Sequence, residues 1–191
     1  MGLDRVYVYR FDASRGTLGP HDPPYVQVAP RSGPRHLAWH PNGRWLYLIE
    51  ELSNRVTMFM WDAERGRLDG GQTVPTLPPE TTRDNIAAEL LIGADGRYAY
   101  ASNRGHDSVA VFAVDSVNGR LTPVGHVASG GQTPRFMAFD VSNQWLFVAN
   151  IDSDTVAVFR VDHATGGLSL VGAPYSQPKP SGLAVCAAVS R

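Results

Sequence analysis

At 191 residues, with 43% hydrophobic and 18% charged residues, the chain can fold as one domain and is too apolar for intrinsic disorder. Seventeen basic residues stand against eighteen acidic ones, a net charge of -1, so there is no global basic excess, which argues against a nucleic-acid or anionic-membrane protein. A single cysteine, Cys186, excludes an internal disulfide and a multi-cysteine metal centre, and it fits a reducing, cytoplasmic setting. The longest apolar run, Leu183 to Val189, is far short of the roughly 20 residues that span a bilayer, and the first residues carry no signal-peptide pattern.

In chain order, the first punctuation is Phe11-Asp12-Ala-Ser-Arg-Gly16-Thr-Leu18. Aspartate favours local bonds to the backbone and glycine supplies positive φ, so Asp-x-x-x-Gly predicts a tight turn. Leu37-Ala38-Trp39 predicts a strand, ended by the Asn42-Gly43 turn. Trp45 to Ile49 and Val56 to Trp61 predict two more, rich in aromatic and branched residues. Asp62 to Gly66 repeats the first turn, and the stretch after Gly66-Arg67-Leu68 gives a fourth strand.

The series then recurs. Asp95-Gly96-Arg97-Tyr98 and Ser142-Asn143-Gln144-Trp145 match Asn42-Gly43-Arg44-Trp45. Val109 to Val114 and Val156 to Val161 match the third strand, and Leu121 to Val127 matches the fourth. Asp12, Asp62, Asp115 and Asp162 head the four Asp-x-x-x-Gly turns, at spacings of 50, 53 and 47 residues. No helical periodicity runs longer than about two turns. Four antiparallel strands per unit of this length predict an all-β fold, a β-propeller of about four four-stranded blades, forming one partial domain over residues 1–191.

With strands A to D counted outward from the axis, the A–B and C–D turns lie on one face and read as generic surface turns. The other face collects the start of A and the B–C loop of each blade. Arg35 and His36, Glu89, and Arg135 stand at the starts of A. Glu51, then Asn103, Arg104 and His106, then Asn150 and Asp152 stand in the B–C loops. Arginine offers a fixed fork of donors for carboxylate or phosphate, histidine exchanges protons near neutral pH, and a carboxylate beside arginine orients water or a hydroxyl. Together they predict a pocket for a small anionic ligand. The alternative is structural: Arg35 and Arg135 closing ion pairs with Glu51 or Asp152, the asparagines capping turns, and His36 packed in its strand. No nucleophile elbow, phosphate-binding glycine loop or metal-ligand spacing is present in the sequence, so neither cofactor nor metal is expected.

Gly33-Pro34-Arg35-His36-Leu-x-x-His40-Pro41-Asn42-Gly43-Arg44 resembles the lactonase family of seven-bladed propellers. So do Glu51-Leu52, Ala87-Ala88-Glu89, Ser102 to Ser108, Gly130-Gly131-x-Thr133-Pro134-Arg135 and Ala149-Asn150-x-Asp152-Ser153-Asp154. The resemblance implies hydrolysis of a sugar lactone, typically 6-phosphogluconolactone, without a cofactor. It implies catalytic roles for Arg35 and Glu51, and for Arg104 with a looser register. His106 is a further catalytic candidate. His36, Glu89, Asn103, Arg135, Asn150 and Asp152 are substrate-binding candidates, and the partner is a small anionic sugar lactone. A non-catalytic protein-binding segment and a muconate cyclase are the rival readings. The chain resembles a C-terminal half of the family fold, whether as a truncated gene product, a misassigned start or one part of an assembly. Its last inner strand is expected at Leu183 to Val189, and self-association is expected through open blade edges.

Overall fold

Fifteen β-strands and no helix make up the regular structure of residues 2–186, which the computed structural model describes. β1 (Arg5–Asp12) and β2 (Thr17–Gln27) form a two-stranded sheet. β3 (Pro34–Trp39), β4 (Trp45–Glu50), β5 (Arg55–Asp62) and β6 (Arg67–Pro75) form the first complete blade. β7 (Ile86–Ile92), β8 (Tyr98–Arg104), β9 (Ser108–Val114) and β10 (Leu121–Ala128) form the next. β11 (Pro134–Phe139), β12 (Trp145–Asn150) and β13 (Thr155–Val161) continue into a fourth strand broken in two, β14 (Leu168–Leu170) and β15 (Tyr175–Ser176). Every pairing is antiparallel and joins chain neighbours, β13 with β15 excepted, as a meandering blade requires.

The blades stack face to face, and this explains the unbroken apolar runs. β4 is buried along its whole length. Trp45, Tyr47 and Ile49 enter one core with Leu90, Ala101 and Phe112 of the following blade. Leu46 and Leu48 enter the opposite core with Val6 and Val28. Tyr100, Val109 and Val111 likewise meet Met137, Val148 and Phe159 across the third junction. A strand covered on both faces has no polar side to alternate with.

Two sets of joints reinforce the stacking. The turns at Asp12, Asp62, Asp115 and Asp162 are Asx turns, each carboxylate accepting N–H bonds from residues two or three further on. They lie on the surface, and the glycines that end three of them, Gly66, Gly119 and Gly166, also press on the preceding blade. Gly119, at φ 73°, lies against the Trp45 ring and Met58 of the preceding blade, and its carbonyl accepts a 2.7 Å bond from Tyr47 Oη. Gly166 lies on Tyr98 in the same way.

At the opposite face, Asp4, Asn54, Asp107 and Asp154 occupy equivalent B–C corners, at φ 48°, 55°, 55° and 54°. Aspartate and asparagine tolerate this left-handed conformation better than most residues. Each then grips the chain leading into the next blade: Arg31 N, Asn85 Nδ2, Thr133 N and Lys179 N donate to them at 2.7–2.8 Å.

The end of the chain departs from expectation. Leu183 to Cys186 is not a strand, and the remainder of that predicted strand lies outside the described residues. The outermost sheets leave apolar side chains in solvent: Tyr9, Phe11 and Leu18 on the first, Leu170 and Tyr175 on the last.

Candidate functional site

β3, β7 and β11 are neighbours across successive blades and therefore line the axis. All three carry a one-residue bulge at the same place. In β3 the register slips between Pro34 and His36, in β11 between Pro134 and Phe136, and in β7 between Ala87 and Leu90. A bulge re-aims the side chains around it. Arg35 and Arg135 are the extra residues of their strands, and Ala88-Glu89 together face one residue of β8.

The ends of the second strands supply the rest. Glu51 follows β4, and Arg104 ends β8 at the equivalent position one blade on. The Glu51 carboxylate is bridged by both arginines. Arg104 Nη2 donates to Oε1 at 2.6 Å, and Arg35 Nε stands 3.3 Å from Oε2. These three side chains are only 10–12% exposed. Arg104 Nη2 also donates to Ala87 O at 2.9 Å, and Arg35 Nη1 donates to Ala88 O, so the β7 bulge presents carbonyls that hold both guanidiniums.

Beside this bridge lies a second pair. His36 Nδ1 is 2.6 Å from Glu89 Oε1, and it is also 3.2 Å from Arg35 Nη1. The Glu89 side chain is 7% exposed; its N–H donates to Ser102 Oγ, and its Oε1 accepts from Leu90 N at 3.2 Å. Arg135, half-buried, makes no hydrogen bond or ion pair among the described residues.

Arg35 and Arg104 thus meet Glu51, Glu89 lies beside them, and Arg135 stands near enough to repel Arg35, an excess of one positive charge if His36 is neutral. Burial, and then repulsion from Arg104, lower the Arg35 pKa, with a smaller push from Arg135 and opposing pulls from Glu51 and Glu89. A site that crowds like charges in this way favours an anion between them. Among the described residues no group of three or more His, Cys, Asp or Glu side chains is placed to hold a metal ion.

The other predicted residues are placed elsewhere. Asn103 and Asn150 are fully buried at the ends of β8 and β12, where their amides donate to Thr76 O and Ser129 O and fasten the lead-in loops. Asp152 is exposed, accepting from Thr133 Oγ1 at 2.6 Å and facing Lys179 Nζ at 3.5 Å, with no bond to Arg135. His106 turns outward: Nδ1 is 2.7 Å from Ser108 Oγ, and its ring meets His126 of β10 edge-on at 5.8 Å. Burial, His126 and Arg83 lower its pKa. The structure brings none of these four into contact with the Glu51 cluster; each satisfies a corner or loop instead.

Blades stacked about an axis, with an arginine-rich end built on three matching bulges, define a β-propeller. The family described as "Lactonase, 7-bladed beta-propeller" matches residues 1–187, and the chain belongs to it. A 6-phosphogluconolactonase of Bacillus subtilis is 35% identical over 147 residues, 76% of this chain and 41% of that protein. The periplasmic gluconolactonase of Pseudomonas aeruginosa superposes with a TM-score of 0.85 at 34% identity, over 92% of this chain and 49% of that one. A Lactobacillus plantarum structure gives 0.87 at 31% identity, again over 92% of this chain and 50% of the other. The chain spans half or less of the length of each.

Proposed function

We propose that this chain binds and hydrolyses a sugar lactone carrying an anionic substituent, of the 6-phosphogluconolactone type, to the open-chain acid. The observation that carries the reading is the Arg35–Glu51–Arg104 bridge beside Arg135, which has no partner among the described residues. The names of the relatives support the substrate class.

Arg135 has its whole donor fork to give, and it receives the phosphate. Arg35 and Arg104 keep one terminal nitrogen each outside the bonds described above. Those N–H groups are fixed in advance near the lactone carbonyl, where they stabilise the oxyanion of the tetrahedral intermediate. Glu51 is a positioning residue here. Both of its oxygens are engaged by arginine, so taking a proton from water would break two buried ion pairs.

The test is hydrolysis of 6-phosphogluconolactone and of unphosphorylated gluconolactone by the full chain, measured above the spontaneous background. Hydrolysis preferring the phosphorylated substrate is expected. Arg135→Ala should weaken 6-phosphogluconate binding ten- to a hundred-fold, the worth of one charge-assisted contact, and leave unphosphorylated gluconate binding unchanged. No hydrolysis of either lactone would refute the proposal.

A further inference from the structure

The bulge in β7 has a second effect besides holding the arginines. It places Glu89 of one blade against His36 of the blade before, at equivalent positions of adjacent inner strands. A carboxylate buried at 7% side-chain exposure is costly unless every oxygen has a donor. Among the described residues Glu89 Oε2 has none, while Oε1 accepts from Leu90 N–H and lies 2.6 Å from His36 Nδ1.

With Glu89 as a carboxylate, one proton arrangement suits the shorter contact at His36 Nδ1. Arg35 Nη1 donates one N–H to Ala88 O and stands 3.2 Å from Nδ1, whereas Glu89 approaches to 2.6 Å, the length of a charge-assisted bond. Nδ1 therefore carries the proton and donates it to Glu89. In the neutral ring that leaves the lone pair on Nε2, and the side chain is 37% exposed, so the ring is accessible from solvent. The charged groups of the surrounding elements are Arg35 on β3, Glu51 after β4, Glu89 on β7, Arg104 on β8 and Arg135 on β11. Of the two carboxylates, Glu89 is the one bonded to the imidazole.

Building on the lactonase reading above, we infer that His36 is the proton acceptor of the reaction and that Glu89 is its positioning residue. As a water oxygen attacks the lactone carbonyl carbon, one water proton passes to His36 Nε2 and the carbonyl π pair moves onto oxygen. The oxyanion then re-forms the C=O bond, the ring C–O bond breaks, and Nε2 returns the proton to the leaving alkoxide oxygen. Lactone plus water gives hydroxy acid, with nothing left over. Glu89 fixes the tautomer that keeps Nε2 free and balances the positive charge that forms on the ring, the role a buried carboxylate plays behind a catalytic histidine.

Two measurements on the full chain test this. Imidazole ¹⁵N spectra should find neutral His36 as the Nδ1–H tautomer, and Glu89→Gln should shift that population toward Nε2–H. For 6-phosphogluconolactone, His36→Gln should lower kcat at least a hundred-fold and abolish the acid limb of kcat/KM; general-base catalysis is worth about 10²–10⁴. Glu89→Gln should lower kcat at least ten-fold with KM within two-fold. An Nε2–H tautomer in the unaltered chain overturns the inference whatever the activity. So does hydrolysis in folded His36→Gln within three-fold of the parent. No lactone hydrolysis by the unaltered chain refutes the lactonase reading and with it the role given to His36, while the spectra still report its tautomer.

Discussion

Gly119 and Gly43 form a matched pair for asking how much the inter-blade joints contribute. Both sit in tight turns at nearly the same φ, 73° and 69°. A Cβ on Gly43 would meet nothing within 4 Å, so Gly43→Ala carries only the conformational cost of a left-handed alanine, about 1–2 kcal/mol. A Cβ on Gly119 would stand 2.8 Å from Met58 Cε and collide with the Trp45 ring, which is 4% exposed and has no room to retreat. Moving the turn instead would stretch the Tyr47 hydroxyl bond to Gly119 O. Overpacking of this kind adds about 1–3 kcal/mol, so Gly119→Ala should cost about 2–5 kcal/mol in all. Urea denaturation of the two variants beside the parent chain, followed by tryptophan fluorescence, measures the difference. Equal destabilisation would refute the argument, because it would mean that the turn does not bear on the blade before it.

Glu51→Gln should cost about 3 kcal/mol of stability, since it strips the charge from a buried bridge and leaves two guanidiniums facing each other; denaturant titration reads this, and an unchanged midpoint would make Glu51 dispensable as an anchor. His106 has its pKa lowered in the fold, so its neutral form is favoured there. Its contribution is therefore present above the unfolded value of about 6.5 and is lost as pH falls through the lower folded value. His106→Asn should flatten the fall in stability across that acid window, checked by thermal melts between pH 7 and pH 5. The exposed Tyr9, Phe11, Leu18, Leu170 and Tyr175 on the outermost sheets should make the chain self-associate, and a stable monomer by light scattering would count against that.

The blades were legible because stacking is written into composition. Trp45 to Ile49 is apolar without alternation because both of its faces are covered, and Asp62 to Gly66 announces its turn through aspartate and glycine alone. The meeting of Arg35, Glu51 and Arg104 followed from blade register. The bulges were not legible. Nothing near Arg35 or Glu89 distinguishes the residue that will have no partner on the next strand, yet that extra residue decides which side chains meet. Polar residues at the corners were misleading for a different reason. Asn103, Asn150 and Asp152 look available to a ligand, but a propeller has many lead-in loops whose backbone groups need partners, and these side chains are used for that. The described part of the last predicted strand, Leu183 to Cys186, is not paired, because an apolar run becomes a strand only beside another strand. Pro178 and Pro180 precede Leu183, and none of the pairings seen in the sheets includes it.

The joints have a consequence for how such a ring can grow. Each repeat contains its own forward grip, the aspartate or asparagine at its B–C corner, and its own rear seat, the glycine at its C–D turn. A tandem duplication of one repeat would therefore copy both halves of the fastening together, and the new unit would arrive able to latch onto either neighbour. Gain or loss of a whole repeat leaves matched fittings at the new seam, whereas a cut inside a repeat separates grip from seat. On this view the number of blades is open to change by whole units, with the wedge shape of the packed faces deciding which number closes the circle.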